Sequence, residues 1–120
     1  MVAQKWIKSF NNAFHGWHYA FNTQPNIRIH LAVAILVILT GFITGLNKWE
    51  WGLILLCIGL VISLEIMNSA VEKLVDLVCP EYSKQAGMIK DLSAGAVLFS
   101  AVTAVIVVLI IFIPKLSQIF

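Results

Sequence analysis

The chain is expected to be an all-α membrane protein, with an N-terminal interfacial amphipathic helix followed by three transmembrane helices per protomer. Three observations predict this. Of 120 residues, 60% are hydrophobic and only 12% are charged. The apolar residues fall into three long stretches. Ahead of them lies an aromatic-rich segment with helical rather than continuous hydrophobicity. A water-soluble domain of this size has too little interior to bury so much apolar surface, so lipid is the solvent for most of the chain. One domain, residues 1–120, accounts for the length.

Taken in order, residues 4–22 (QKWIKSFNNAFHGWHYAFN) form the surface helix. At 100° per residue, Trp6, Phe10, Ala13, Phe14, Trp17, Ala20 and Phe21 share roughly a third of the circle. Lys8, Asn11, Asn12, His15 and His18 fall opposite, as in a helix lying in the membrane interface. TQPN then interrupts it: Pro25 biases Gln24 away from helical backbone, and Asn26 is a candidate N-cap for the next helix.

The first span is read as 27–46, its apolar stretch being Ile29 to Leu46. The second is 49–78, apolar from Trp51 to Leu64 and then polar, so it spans only if its far end emerges from the hydrocarbon. A polar loop follows at 79–87 (CPEYSKQAG), then the third span at 90–113. About 20 apolar residues cross a hydrocarbon core, and segments crossing it must be helical because each backbone group needs an internal partner. Trp49 and Trp51 in the short NKWEW connection read as interfacial anchors. Gly41 and Gly45 form a GxxxG, and Ala96, Ser100 and Ala104 line one face of the third span; small-residue faces let helices approach closely.

Charge gives orientation. Lys5, Lys8, Arg28, Lys73, Lys84 and Lys90 fall on one side and only Lys48 and Lys115 on the other, which places the N-terminus and the 79–87 loop in the cytoplasm. All acids but Glu50 lie on or near that side. A net charge of +2 and the absence of a basic cluster argue against nucleic acid as a partner. Cys57 and Cys79 have neither disulfide nor metal-site patterning. His15, His18 and His30, spaced 3 and 12 apart, form no metal set, and the first two belong to a solvated face. The N-terminal stretch lacks a signal-peptide pattern.

The chemistry concentrates in LEIMNSAVEKLVD, Leu64 to Asp76. On a helix, Glu65, Asn68, Glu72 and Asp76 occupy one stripe about 80° wide and ~16 Å long. Glu65 is the deepest, flanked by Leu64 and Ile66. An ionisable group at that depth is a functional candidate by default. A carboxylate in an apolar layer takes up a proton more readily than one in water, which suits a general base. Glu72 and Asn68 offer hard oxygen atoms, which suit Mg²⁺ rather than zinc, and Mg²⁺ held by few carboxylates usually carries substrate phosphates as well. Lys90 and Asp91 open the third helix; the lysine is misplaced for the helix dipole and suits an anion such as a nucleotide phosphate. Glu81 and Tyr82, in the loop, are candidates to hold a ribose and a base. The residues therefore indicate phosphoryl transfer at a membrane surface.

EIMNSAVEKLVD followed by KDLSAGAVL resembles the small bacterial integral-membrane lipid kinases, the prokaryotic diacylglycerol kinase and undecaprenol kinase family. The shared pattern is E-x-x-N-S-A-x-E, then K-D-x-x-A-G-A-V 18 residues after its last glutamate. The resemblance implies a homotrimer whose active sites are shared between protomers, with transfer of the γ-phosphate of MgATP to a membrane-lipid hydroxyl. It implies Glu65 as catalytic base, Glu72 as metal ligand, and Asn68 beside the site with Asp76 further along the stripe. Lys90, Asp91, Glu81 and Tyr82 correspond to nucleotide contacts, with Glu72 among them, and Ala94 to the lipid-facing part of the motif. Lys5 stands where the family often has Arg, keeping the charge but not bidentate phosphate binding. Gln24 stands where members usually carry a second metal-binding glutamate; it keeps a carbonyl oxygen, loses the charge, and is expected to weaken Mg²⁺ binding. PNIRIH and IFIPKL are more similar to the undecaprenol kinase branch. The expected acceptor is therefore undecaprenol, with diacylglycerol second, in a bacterial inner membrane. The alternatives are a lipid-phosphate hydrolase on the same scaffold and a non-catalytic small membrane protein packing through Gly41 and Gly45.

Overall fold

The computed structural model describes residues 1–120. It is all-helical: α1 (Val2–Thr23), α2 (Pro25–Thr44), α3 (Lys48–Val78) and α4 (Lys84–Ile119). The last three are long and apolar enough to cross a membrane. At 1.5 Å per residue, the 31 residues of α3 and 36 of α4 reach roughly 46 and 54 Å, well beyond a ~30 Å hydrocarbon core. Both helices therefore carry extensions outside the apolar layer.

Local chemistry sets the boundaries. Gln24 is extended (φ −113°, ψ 104°), as its position before Pro25 requires. Gln24 rather than Asn26 is the N-cap of α2, because Pro25 fits the first helical position, where a missing N–H costs nothing. At the other end α2 stops at Gly45, the one glycine with positive φ (75°), a conformation other residues resist. Asn47 and Glu50 form a capping box that starts α3: Asn47 Oδ1 accepts from Glu50 N at 2.9 Å, and Asn47 N donates to Glu50 Oε1 at 3.1 Å. Ser83 Oγ accepts from Ala86 N at 3.0 Å and starts α4. Because Ser83 caps there, the connector is only residues 79–83, shorter than the 79–87 expected, and Lys90 sits in the second turn of α4 rather than at its start. The helix also continues past residue 113, running through Pro114 to Ile119.

Packing is thin. Only 14 of 120 residues are buried, and the core is a small cluster of Ile54, Ile111 and Phe112 supported by Val37, Leu46, Ile58, Val107 and Val108. It joins α3 and α4 near the α2–α3 turn. Most of the apolar surface faces outward, an arrangement suited to lipid or to other protein copies and not to water. Gly41 does not serve an outward GxxxG face. A Cβ there would meet Leu46 Cδ1 and Trp51 Cη2 at 2.8 Å, so the glycine admits the Trp51 indole within the chain. Trp51 is accordingly a packing residue, its ring 4.8 Å from that of Phe42, whereas Trp49 is exposed. Gly45 is spent on the helix cap.

Candidate active site

Three helices set the position of the polar stripe. α2 and α3 run antiparallel, joined by the tight turn at residues 45–47. His30, in the second turn of α2, is about 8 Å from that helix's start, and Glu65, which it touches, is about 20 Å from the end of α3. Roughly 12 Å of α3 therefore extends beyond the start of α2. Glu65 lies level with the first turns of α2, at the boundary between the apolar part of α3 and its polar extension.

Glu65 is buried, with 3% of its surface exposed, and so are Asn68 and Ser69. The Ser69 hydroxyl donates to the Glu65 backbone carbonyl at 3.1 Å, and the Glu65 carboxylate reaches towards α2. Its oxygen Oε2 lies 3.5 Å from His30 Nε2. One turn on, Asn68 Nδ2 donates to Glu72 Oε1 at 3.4 Å, while Asn68 Oδ1 is buried without a partner. Such an orphaned acceptor costs free energy unless something outside the chain satisfies it. No three His, Cys, Asp or Glu side chains converge on one point. What the stripe offers a cation is a set of hard oxygens: the half-buried Glu72 carboxylate and the free Asn68 Oδ1.

Further along α3, Asp76 Oδ1 accepts from Lys90 Nζ at 2.6 Å, tying the extensions of α3 and α4 together. Lys90 precedes the apolar part of α4, and the Asp76 hydrogen bond and charge hold its ammonium above the ordinary lysine value. Both side chains stay substantially exposed, so a ligand phosphate can reach the lysine. The α1–α2 elbow closes the third side. Arg28 donates to the Phe21 and Asn22 carbonyls at 3.3 and 3.4 Å, and Lys73 lies over the Tyr19 ring at 4.8 Å. These contacts satisfy carbonyls at the C-terminus of α1 and bring its last turns against α3, with Gln24 half-buried in the elbow.

The chain thus gathers Glu65, Asn68 and Glu72 on one face, with Asp76 and Lys90 next to them. It leaves others apart. Lys5 is exposed, roughly 28 Å along α1 from Gln24. Glu81 and Tyr82 project from the connector, Tyr82 with 90% of its surface exposed, and Asp91 and Ala94 are exposed on α4. His30 was given no role by sequence reasoning. Its partner lies 35 residues away on another helix, so no spacing rule links them; the only signal was an ionisable residue early in an apolar segment.

Comparisons with known proteins place the chain in a family. A family model described as prokaryotic diacylglycerol kinase matches residues 11–112. The undecaprenol kinase of Bacillus subtilis is 40% identical over 112 residues, covering 93% of this chain and 91% of that protein. The diacylglycerol kinase of Synechocystis is 40% identical over 116 residues, 96% of this chain and 66% of the relative. The diacylglycerol kinase of Escherichia coli K12 is 28% identical over 100 residues, 83% and 82% of the two chains. The chain is a multi-pass membrane protein and belongs to the prokaryotic diacylglycerol kinase family of lipid kinases.

Proposed function

We propose that the protein transfers the γ-phosphoryl group of MgATP to the hydroxyl of undecaprenol, with diacylglycerol the second choice of acceptor, at the cytoplasmic face of a bacterial inner membrane. The observation that carries this is Glu65, a carboxylate buried at the edge of the apolar layer and followed along the same helix face by Asn68 and Glu72. The undecaprenol kinase of B. subtilis, matched over nearly the whole of both chains, supports the choice of acceptor.

Glu65 accepts the proton of the lipid hydroxyl as its oxygen attacks the γ-phosphorus; the bond from that phosphorus to the bridging oxygen breaks and ADP leaves. Glu72 and Asn68 Oδ1, with the Gln24 carbonyl, are the oxygens that would hold Mg²⁺. When bound, Mg²⁺ neutralises charge on the nucleotide phosphates. Lys90 steadies the phosphates, exchanging part of its Asp76 contact for them, and Asp76 keeps it in place when no nucleotide is bound. Lys5, Glu81, Tyr82 and Asp91 contact the nucleotide, and Ala94 faces the lipid.

The working assembly is a homotrimer with shared sites. The thin core and the separation of Lys5, Glu81 and Tyr82 from the stripe support it, since neighbouring protomers can supply what one leaves apart. α1 lies in the membrane interface, a reading supported by Trp6, Phe10, Phe14 and Trp17, all exposed on one face. The test is a panel of undecaprenol, diacylglycerol and their phosphates, each with and without labelled ATP. Label should pass to undecaprenol most rapidly. Release of phosphate from the lipid phosphates without ATP would favour a hydrolase, and no turnover on any lipid would remove the catalytic reading.

A further inference from the structure

Glu65 has one ionisable neighbour, and it comes from a different helix. His30 Nε2 stands 3.5 Å from Glu65 Oε2, with the carboxylate side chain 4% exposed and the imidazole 25%. The groove that the residue lines is apolar. His30 is the sole polar residue lining a groove of about 340 Å³ between α2, α3 and α4. α4 contributes Ala101, Ala104, Val105, Val108 and Leu109 there, and the only other titratable group in the lining is the Cys57 thiol of α3. Glu65 is the only carboxylate that the imidazole meets, and the groove itself offers it no carboxylate.

We propose that His30 is a positioning residue for Glu65. Nε2–H holds Oε2 and turns Oε1 towards the acceptor hydroxyl. A carboxylate with both oxygens free in an apolar pocket samples rotations that waste its proton affinity, and a base held by a third group does not. In this arrangement the proton belongs on Nε2, the ring nitrogen that faces Oε2. During transfer the hydroxyl proton moves to Oε1, the lipid oxygen bonds to the γ-phosphorus, the bond to the bridging oxygen breaks, and His30 keeps its own proton throughout.

This inference rests on Glu65 as the base, so the experiment includes Glu65→Gln as a control. Full-length His30→Leu, His30→Asn and His30→Gln are assayed with MgATP and undecaprenol, alongside thermal melting. Gln places an amide N–H where Nε2 lies, whereas Asn places one nearer Nδ1. His30→Leu should lose about tenfold or more in kcat, the size expected for an orienting partner, with KM for MgATP within about twofold. His30→Gln should recover most of that loss and His30→Asn little of it. Equal activity in the Gln and Asn variants overturns the proposal, and that comparison decides even if the Leu variant does not fold. So does wild-type kcat in His30→Leu when Glu65→Gln is inactive. Turnover by Glu65→Gln would instead remove the base assignment itself.

Discussion

The two polar ends of the helical bundle are built on opposite terms. At the α2–α3 turn, each strong group has a partner inside the chain. Asn47 and Glu50 cap each other, Lys115 Nζ reaches Glu50 Oε1 at 3.1 Å and the Gly45 carbonyl at 3.2 Å, and Trp51 fills the notch at Gly41. At the other end, Glu65 has one neighbour at 3.5 Å, Asn68 Oδ1 has none, and Lys90 and Asp76 pair in the open. A charged group that is fully partnered holds a structure together. One that is buried and half-partnered costs stability, and it persists where a ligand completes it. The closed end is a clasp, and the open end is the proposed site.

Glu65→Gln should break the open end most severely. It removes the proposed base with little change in side-chain volume, so phosphorylation should fall by about 10²- to 10⁴-fold, while ATP binding, followed by a nucleotide-dependent thermal shift, remains. Near-wild-type turnover would show that the burial of Glu65 serves packing after all. A smaller effect, of opposite sign, is expected at the elbow. Gln24→Glu adds a carboxylate beside the oxygens proposed to hold Mg²⁺ and should lower the Mg²⁺ concentration for half-maximal activity by roughly tenfold, equivalent to about 1.4 kcal/mol. An unchanged Mg²⁺ titration would place Gln24 outside the metal site. Least of all should be felt at the clasp. Lys115→Met leaves Glu50 its capping box, so a slight fall in melting temperature is expected with kcat unchanged. A large loss of activity there would mean that the two ends are coupled and that the contrast between them fails.

Much of this was legible in the chain. Hydrophobic runs too long for a small soluble core required helices in lipid, and Pro25 broke α1 from α2 where expected because its ring restricts Gln24. The stripe from Glu65 to Asp76 was visible because it lies on one helix, where spacing alone fixes direction. The connector was less legible, since Ser83 and the loop residues around it are alike in polarity and only hydrogen bonding shows which one caps α4. The glycines misled for a related reason: Gly41 and Gly45 share a motif, yet one admits an indole and the other ends a helix.

What the sequence determined by itself is everything carried by local periodicity and bulk hydrophobicity: the helical class, the three apolar segments, the amphipathic α1 and the single-faced row of oxygens on α3. Tertiary structure alone decided which groups meet across helices. His30 against Glu65, Lys90 against Asp76 and Lys115 against Glu50 and Gly45 are separated by 14 to 70 residues. Their proximity depends on how far each helix slides along its neighbour, which is set by turn length and by side-chain packing between helices rather than by any repeat within one.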